Sequence, residues 1–466
     1  MLPNLSMATA GAQSARPGES PYGPLATEPD ENGLLLPEGF TSRIIGVAGE
    51  PVADTDYAWH AFPDGAATFP TDDGGWLYAC NSEVFTAQAA DAGGVSAVRF
   101  DADGTIVDAY RILEGSNSNC AGGPTPWGTW LSGEESMDEQ GRIWECDPTG
   151  EEEAVAHLAM GRFAHEGAAV DPMSKTVYLT QDHPTGLLYR FTPTAYPDLS
   201  EGLLEAAVVA GDGTVTWSEV PDPSGATTPT REQVPEATRF VGGEGIWYHE
   251  GTIYFTTKGD HSVHRIDVAE QRHEVIWKGD PAGAGVEGAV LSHVDNITAD
   301  AGSGDLFVAE DGGNMELVII TPEGAVAPFA RAVGHDVSEV TGPCFNPARD
   351  RLYFSSQRGP SPKTIGEIIP GAAGGEARTA GVTWEVTGPF RAIREPEPAP
   401  TTTLAKAAEG GGSGSGSGGD DDDDGSATPF VVGGVAVAAA AAAGGLVALR
   451  RRRATPARGA EAPPDA

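Results

Sequence analysis

Between residues 35 and 395, short runs of β-branched and aromatic residues alternate with clusters of Gly, Asp, Asn and Pro. Runs of this kind bounded by turn formers predict strands, and no stretch reads as a convincing amphipathic helix. The clearest runs are WLYAC, VSAVRF, TVYLT, LLYRF, TIYFTT, SVHRID, DLFVA, ELVIIT and RLYFSS. They recur within a larger unit that has a polar or acidic start, a turn, a strand ending in Tyr or Phe, a second polar cluster and a hairpin partner. Copies are HEGAAVDPMSKTVYLTQDHPTGLLYRF, GEGIWYHEGTIYFTTKGDHSVHRID, VDNITADAGSGDLFVAEDGGNMELVII and TGPCFNPARDRLYFSS, with two more around Cys80 and Cys120. Roughly six units of irregular length predict an all-β, six-bladed β-propeller over residues 24–395.

The pattern changes sharply at both ends. Residues 1–23 lack a basic start and an apolar stretch, so they read as a disordered segment without a visible signal peptide. Residues 396–427 are rich in Pro, Gly, Ser and Asp and read as a linker. The segment FVVGGVAVAAAAAAGGLVAL within 428–450 is uncharged and long enough for a hydrocarbon core of about 30 Å. Arg450 to Arg453 stand where the span meets the basic tail, 451–466, and by the positive-inside rule place that tail in the cytoplasm. The expectation is a single-pass cell-membrane protein, monomeric, with its propeller on the extracytoplasmic side.

Charge narrows the function. With 68 acidic against 28 basic residues and a net charge of −40, the surface repels nucleic acid and anionic lipid. It repels phosphate esters too, unless multivalent cations invert the local field. The four cysteines, Cys80, Cys120, Cys146 and Cys344, have no CxxC spacing and form neither a zinc motif nor a dense disulfide framework. Neither a GxSxG elbow nor a Walker loop is present, which argues against serine-hydrolase and P-loop chemistry.

In a propeller, equivalent positions of different blades converge on the central channel. Here they hold Asn81 and Glu83 (CNSE), Cys120, Glu134 and Glu135, Glu166 (FAHEG), Asp182 (TQDHP), Glu244 (GGEG), Asp295 and Asn296 (VDN), and Glu310 and Asp311 (AEDGG). So many carboxylates at one mouth require cations. Hard oxygen ligands suit calcium, and a thiolate among them suits a softer or redox-active metal such as iron. His165 and His183 adjoin two of the acids, yet a lone histidine is more often structural.

The run NCAGGPTPWGTWLSGEE is very similar to the signature of PhoX-type alkaline phosphatases, and GLLLPEGF, FAHEGAAVDP, GLLYRFTP and EVTGPCFNP fit the same family in the same order. The resemblance spans residues 24 to 390. It implies an axial site with two oxo-bridged Fe3+ ions and Ca2+ ions that hydrolyses phosphomonoesters, a metal-bound oxo or hydroxide serving as nucleophile in place of a side chain. By motif position, Cys120, Glu135, Glu166, Glu244 and Asp311 correspond to iron or shared ligands, and Asn81, Glu83 and Asp182 to calcium-side ligands. Two features depart from the family: Gly242 stands where an arginine usually precedes the glutamate by two residues, and twin-arginine export is not visible. Rival readings are a calcium-dependent lactonase or phosphodiesterase on the same scaffold, which has no need of a thiolate, and a non-catalytic surface propeller stabilised by metals.

Overall fold

A computed structural model describes residues 15–136, 138–280 and 290–391. Six antiparallel sheets follow one another along the chain. The first blade comprises Pro63–Pro70, Trp76–Ser82, Gly93–Phe100 and Ile106–Ser116, and the second Asn119–Pro124, Trp130–Glu134, Ile143–Cys146 and Val155–His157. The third has five strands, beginning with His165–Asp171 and Thr176–Gln181. The fourth begins with Gly243–His249 and Thr252–Thr257, the fifth with Val294–Ala299 and Leu306–Glu310, and the sixth with Val340–Phe345 and Arg351–Ser356. The first strands of neighbouring blades pack on one another around the ring, so they line the axis.

Closure joins the two ends of the propeller. Thr41–Val47 pairs antiparallel with Val382–Thr387 and supplies the outer strand of the sixth blade. Only pairing partners far apart in sequence can seal such a ring, which leaves no wide open edge between the first and last blades. Residues 15–23, part of the segment expected to be disordered, are held on the fourth and fifth blades, the latter through Ala325–Ala332. Arg16–Pro17 runs parallel to that strand, and the Ala15 amide donates to the Ile276 carbonyl at 2.8 Å. A two-residue strand of this kind carries no hydrophobic period to read.

The alternation in each run serves two cores at once. In Thr176–Gln181, Val177 and Leu179 join Leu131, Ile143 and Phe163 between the second and third blades. Tyr178 turns the other way, to Ile246, Ile253 and Phe255 of the fourth. Successive strand side chains point to opposite faces, and both faces of a blade are covered. Hence every residue of that strand is buried, Thr176, Thr180 and Gln181 included. Trp59, Tyr78 and Tyr353 fill the joint between the first and sixth blades, where the ring closes. Among the described residues the α-helical content is one turn, Ile365–Ile368, fixed by a Thr364/Glu367 capping box.

The predicted linker (396–427), membrane span (428–450) and basic tail (451–466) lie outside the described residues. Among those described, no helix is long and apolar enough to cross a membrane.

Candidate metal centre

All six inner strands bulge at the same place. Their pairing with the second strand skips Asp64-Gly65, Cys120-Ala121, Glu166-Gly167, Glu244-Gly245, Asp295-Asn296 and Gly342-Pro343 in turn. A bulge frees its residues from the ladder and re-aims their side chains. The second bulged residue must be small where backbones crowd the axis: a Cβ on Gly65 would lie 2.6 Å from Ala121 Cα. A further ring comes from the residue directly after each second strand, namely Glu83, Glu135, Asp182, Lys258, Asp311 and Gln357.

Members of the two rings, joined by Glu339, converge into overlapping groups. Asp64, Glu83 and Cys120 form one; Cys120, Glu135 and Glu166 the next; then Glu166, Glu244 and Asp295; and finally Asp295, Asp311 and Glu339. Within each group the ligand atoms lie within 4.8 Å of one another. Because Cys120, Glu166 and Asp295 are shared, the groups make a continuous arc of acid across five blades. All these residues are buried except Asp311, which is partly exposed.

Burial of so many like charges raises their proton affinity. Desolvation, and then the charge of Glu339, pushes Asp64 up to about 8. Burial also lifts Asp295 to about 8, with Lys258 opposing and Asp311 adding to the rise. Glu135 reaches about 7 through burial, and Glu339 about 8, where Arg358 resists the shift. Glu83, Glu166 and Glu244 are held well above the carboxylate range, by burial first and neighbouring acids next. Such a set ionises together only when multivalent cations neutralise it.

The hydrogen bonding leaves places for those cations. Both carboxylate oxygens of fully buried Glu166 lack a donor, as do Asp64 Oδ1 and Glu244 Oε1. The Cys120 thiol is turned to Asp64 Oδ2 at 3.7 Å. Unpartnered buried acceptors cost roughly 1–3 kcal/mol each, and a bound ion removes that cost. Oxygen-rich donors with one sulfur fit hard cations and one thiophilic metal.

Of the residues expected at the site, Glu83, Cys120, Glu135, Glu166, Glu244 and Asp311 fall in these groups. Asp182 borders them: its charge acts on Glu135 and Glu244. Asn81 stands apart. Its amide nitrogen donates to the Cys120 and Ala121 carbonyls at 2.7 and 2.8 Å, and its oxygen accepts from Trp130 Nε1 and Ser132 Oγ at 2.8 and 2.9 Å. Every bond of Asn81 is thus spent on fixing the bulge that presents Cys120. Glu134 is paired with Arg142 at 2.7 Å, and Glu310 accepts the Ser292 and Glu316 amides, so both serve the scaffold. Asn296 is likewise spent, between Asp295 Oδ1 and the Gly342 amide.

Neither histidine beside the acids falls in these groups. His165 is buried against Phe163 and bonded to the Gly161 carbonyl at 3.0 Å, while His183 Nδ1 accepts from the Thr185 amide at 3.0 Å. All four cysteines are buried free thiols.

Sequence reading passed over Asp64, Glu339, Lys258, Gln357 and Arg358. Gln357 Nε2 bridges the Asp64 and Glu83 carboxylates, the latter at 2.7 Å. Arg358 Nη1 lies 3.1 Å from Glu339 Oε2 with a third of its side chain exposed. Gly242 is at the mouth: a Cβ there would sit 3.3 Å from Asp182 Oδ1 and 3.7 Å from Glu244 Oε1. Its φ of 65° is one that L residues rarely adopt.

A family model for the alkaline phosphatase PhoX matches residues 86–359, more than half of the chain, and spans Cys120, Glu135, Glu166, Glu244, Asp295 and Asp311. The chain belongs to the PhoX alkaline phosphatase family. PhoX proteins are phosphoric monoester hydrolases, and the family is metal-dependent. The fold agrees: Pseudomonas fluorescens PhoX, solved with vanadate as a transition-state analogue, matches with a TM-score of 0.62. That match has 18% identity and covers 81% of this chain and 98% of that one. A gluconolactonase from Xanthomonas campestris, at 13% identity and a TM-score of 0.40, covers 76% of this chain and 89% of its own. No curated protein sequence matches the chain.

Proposed function

We propose that this PhoX family member is a metal-dependent phosphomonoesterase tethered to the cell membrane, using Fe3+ bound near Cys120 and Ca2+ elsewhere along the arc. The observation that carries the reading is the set of buried oxygens of Asp64 and Glu166 that have no donor, in a continuous arc with other buried acids and a buried thiol. Bound ions of this kind supply neutralisation of phosphoryl oxygens and activation of the attacking water.

The chain's own residues define where that happens. Five of the six bulges hold donors (Asp64, Cys120, Glu166, Glu244 and Asp295) on rigid inner strands, so little reorganisation of these accompanies binding. Gln357 fixes Asp64 and Glu83, and Asn81 fixes the backbone of Cys120. At the mouth, Arg358 keeps donors beyond its contact with Glu339, positioned for an anionic ester that the −40 surface otherwise repels. Cys120 favours this reading over a calcium lactonase, whose chemistry has no need of sulfur.

Hydrolysis of p-nitrophenyl phosphate by the purified full chain should be lost after chelation and restored by iron and calcium together. Turnover unaffected by prolonged chelation would sink the proposal. The tether is tested separately, by ending the chain after Ala427: the propeller should then leave the membrane fraction, and retention in the pellet would contradict it.

A further inference from the structure

In the first, second, third and fifth blades the position directly after the second strand is an acid, Glu83, Glu135, Asp182 or Asp311. In the fourth it is Lys258, so a positive charge stands where the pattern of the ring places a negative one. The Lys258 amide donates to the Gly242 carbonyl at 2.7 Å, and the Gly259 amide to the Val241 carbonyl at 3.0 Å, which anchors the lysine's backbone to the mouth. From there Nζ lies 3.1 Å from Glu244 Oε1, 3.3 Å from Asp311 Oδ2 and 3.8 Å from Asp295 Oδ2.

Those three acids belong to the last two groups of the arc, and Asp295 belongs to both. The ammonium therefore occupies the corner where these groups meet. Its contact with Glu244 Oε1 is not aligned as a hydrogen bond, so it acts there as a point charge. A metal ion drawing on the same oxygens is repelled by an ammonium 3–4 Å from them. The side chain is one-third exposed at the mouth and four carbons long, which gives it an outward path.

We propose that Lys258 is a built-in placeholder cation: it neutralises Glu244, Asp295 and Asp311 in the metal-free propeller and is displaced outward when a divalent ion takes that corner. The lysine thereby weakens and delays loading at the fourth and fifth blades relative to the Cys120 end of the arc. This inference rests on the metal-centre reading above.

The test is calcium binding to the metal-stripped full chain by isothermal titration calorimetry, compared among wild type, Lys258→Met and Lys258→Arg. Methionine keeps the bulk and removes the charge, so at least one calcium site should tighten by tenfold or more. Arginine should bind no more tightly than wild type. In parallel the metal-free melting temperature of Lys258→Met should fall while its calcium-induced rise grows. Should Lys258→Met not fold without metal, it is purified with calcium, and calcium release to a chelator should be slower than from wild type. Unchanged or weaker calcium binding by Lys258→Met, or release as fast as wild type, overturns the proposal. Calcium binding by neither chain overturns both it and the metal-centre reading. Tightening without any p-nitrophenyl phosphate hydrolysis by the wild type keeps the placeholder and removes the phosphatase.

Discussion

Replacing Glu166 by glutamine should stabilise the protein in one state and damage it in another. Glu166 is fully buried, neither carboxylate oxygen has a donor, and it is shared by two acid groups. Without metal, burial and the neighbouring acids hold its carboxyl well above the usual carboxylate range. Holding a carboxyl of unfolded pKa about 4.3 protonated at pH 7.5 costs about 4 kcal/mol. Glutamine is neutral in both folded and unfolded states and avoids that cost, although its amide still lacks partners. At roughly 1–2 °C per kcal/mol for a domain of this size, the metal-free Glu166→Gln protein should melt about 4–8 °C higher, less whatever relaxation absorbs. With metal the sign reverses, because two groups lose a charged ligand. A tenfold loss of affinity alone removes about 1.4 kcal/mol of ligand-induced stabilisation. Differential scanning calorimetry of both proteins, with chelator and with saturating calcium and iron, reads all four states. A variant destabilised without metal, or one keeping the full metal-induced rise, would refute the reasoning.

The metal-free protein should also lose stability as pH rises. Asp64, Asp295 and Glu339 titrate at about 8 in the folded chain and Glu135 at about 7, all above their unfolded values near 4. The folded state thus holds more protons across that window, so stability is greatest below about pH 4 as far as these groups are concerned, and it is lost toward pH 8. Melting with chelator should fall between pH 5 and 8.5, and saturating calcium should flatten the curve; a flat metal-free profile contradicts this. Cys120→Ser should abolish iron-linked absorbance and nearly all turnover while leaving most of the calcium-induced rise in melting temperature, because a hydroxyl is a much weaker iron ligand. Loss of the calcium effect as well would place Cys120 in the scaffold. Gly242→Arg should lower KM for p-nitrophenyl phosphate by adding a bidentate donor beside Asp182 and Glu244, at a cost of roughly 1–2 kcal/mol from its positive φ. An unchanged KM would show that substrate approaches from another side.

How far sequence alone reaches is clearest at individual positions. Glu166 and Glu244 stand out because each precedes a glycine at the start of a recognisable unit, which is the bulge seen in the fold. Asp64 has the same signal, since PDGAATF parallels HEGAAVD. Its unit is less distinct, because the partner strand run WLYAC does not end in the Tyr or Phe of the unit. Asn81 looked equivalent to Glu83 from two residues away, but it is still inside the strand, where its amide must satisfy the second blade. Lys258 closes TIYFTTK and reads as a solvated strand end. Only the register of six sheets reveals that it replaces an acid. The closing strand, Thr41–Val47, is invisible for a similar reason: its partner lies more than 300 residues away.

The central claim is that ions held by this arc perform the chemistry, and it meets its most direct test in elemental analysis of the full chain purified without added metal, with p-nitrophenyl phosphate hydrolysis measured in the same fractions. Iron and calcium should co-elute with the protein, and specific activity should follow their content across fractions stripped to different degrees. Full activity in metal-free fractions, or metal-replete protein without any, would contradict the account.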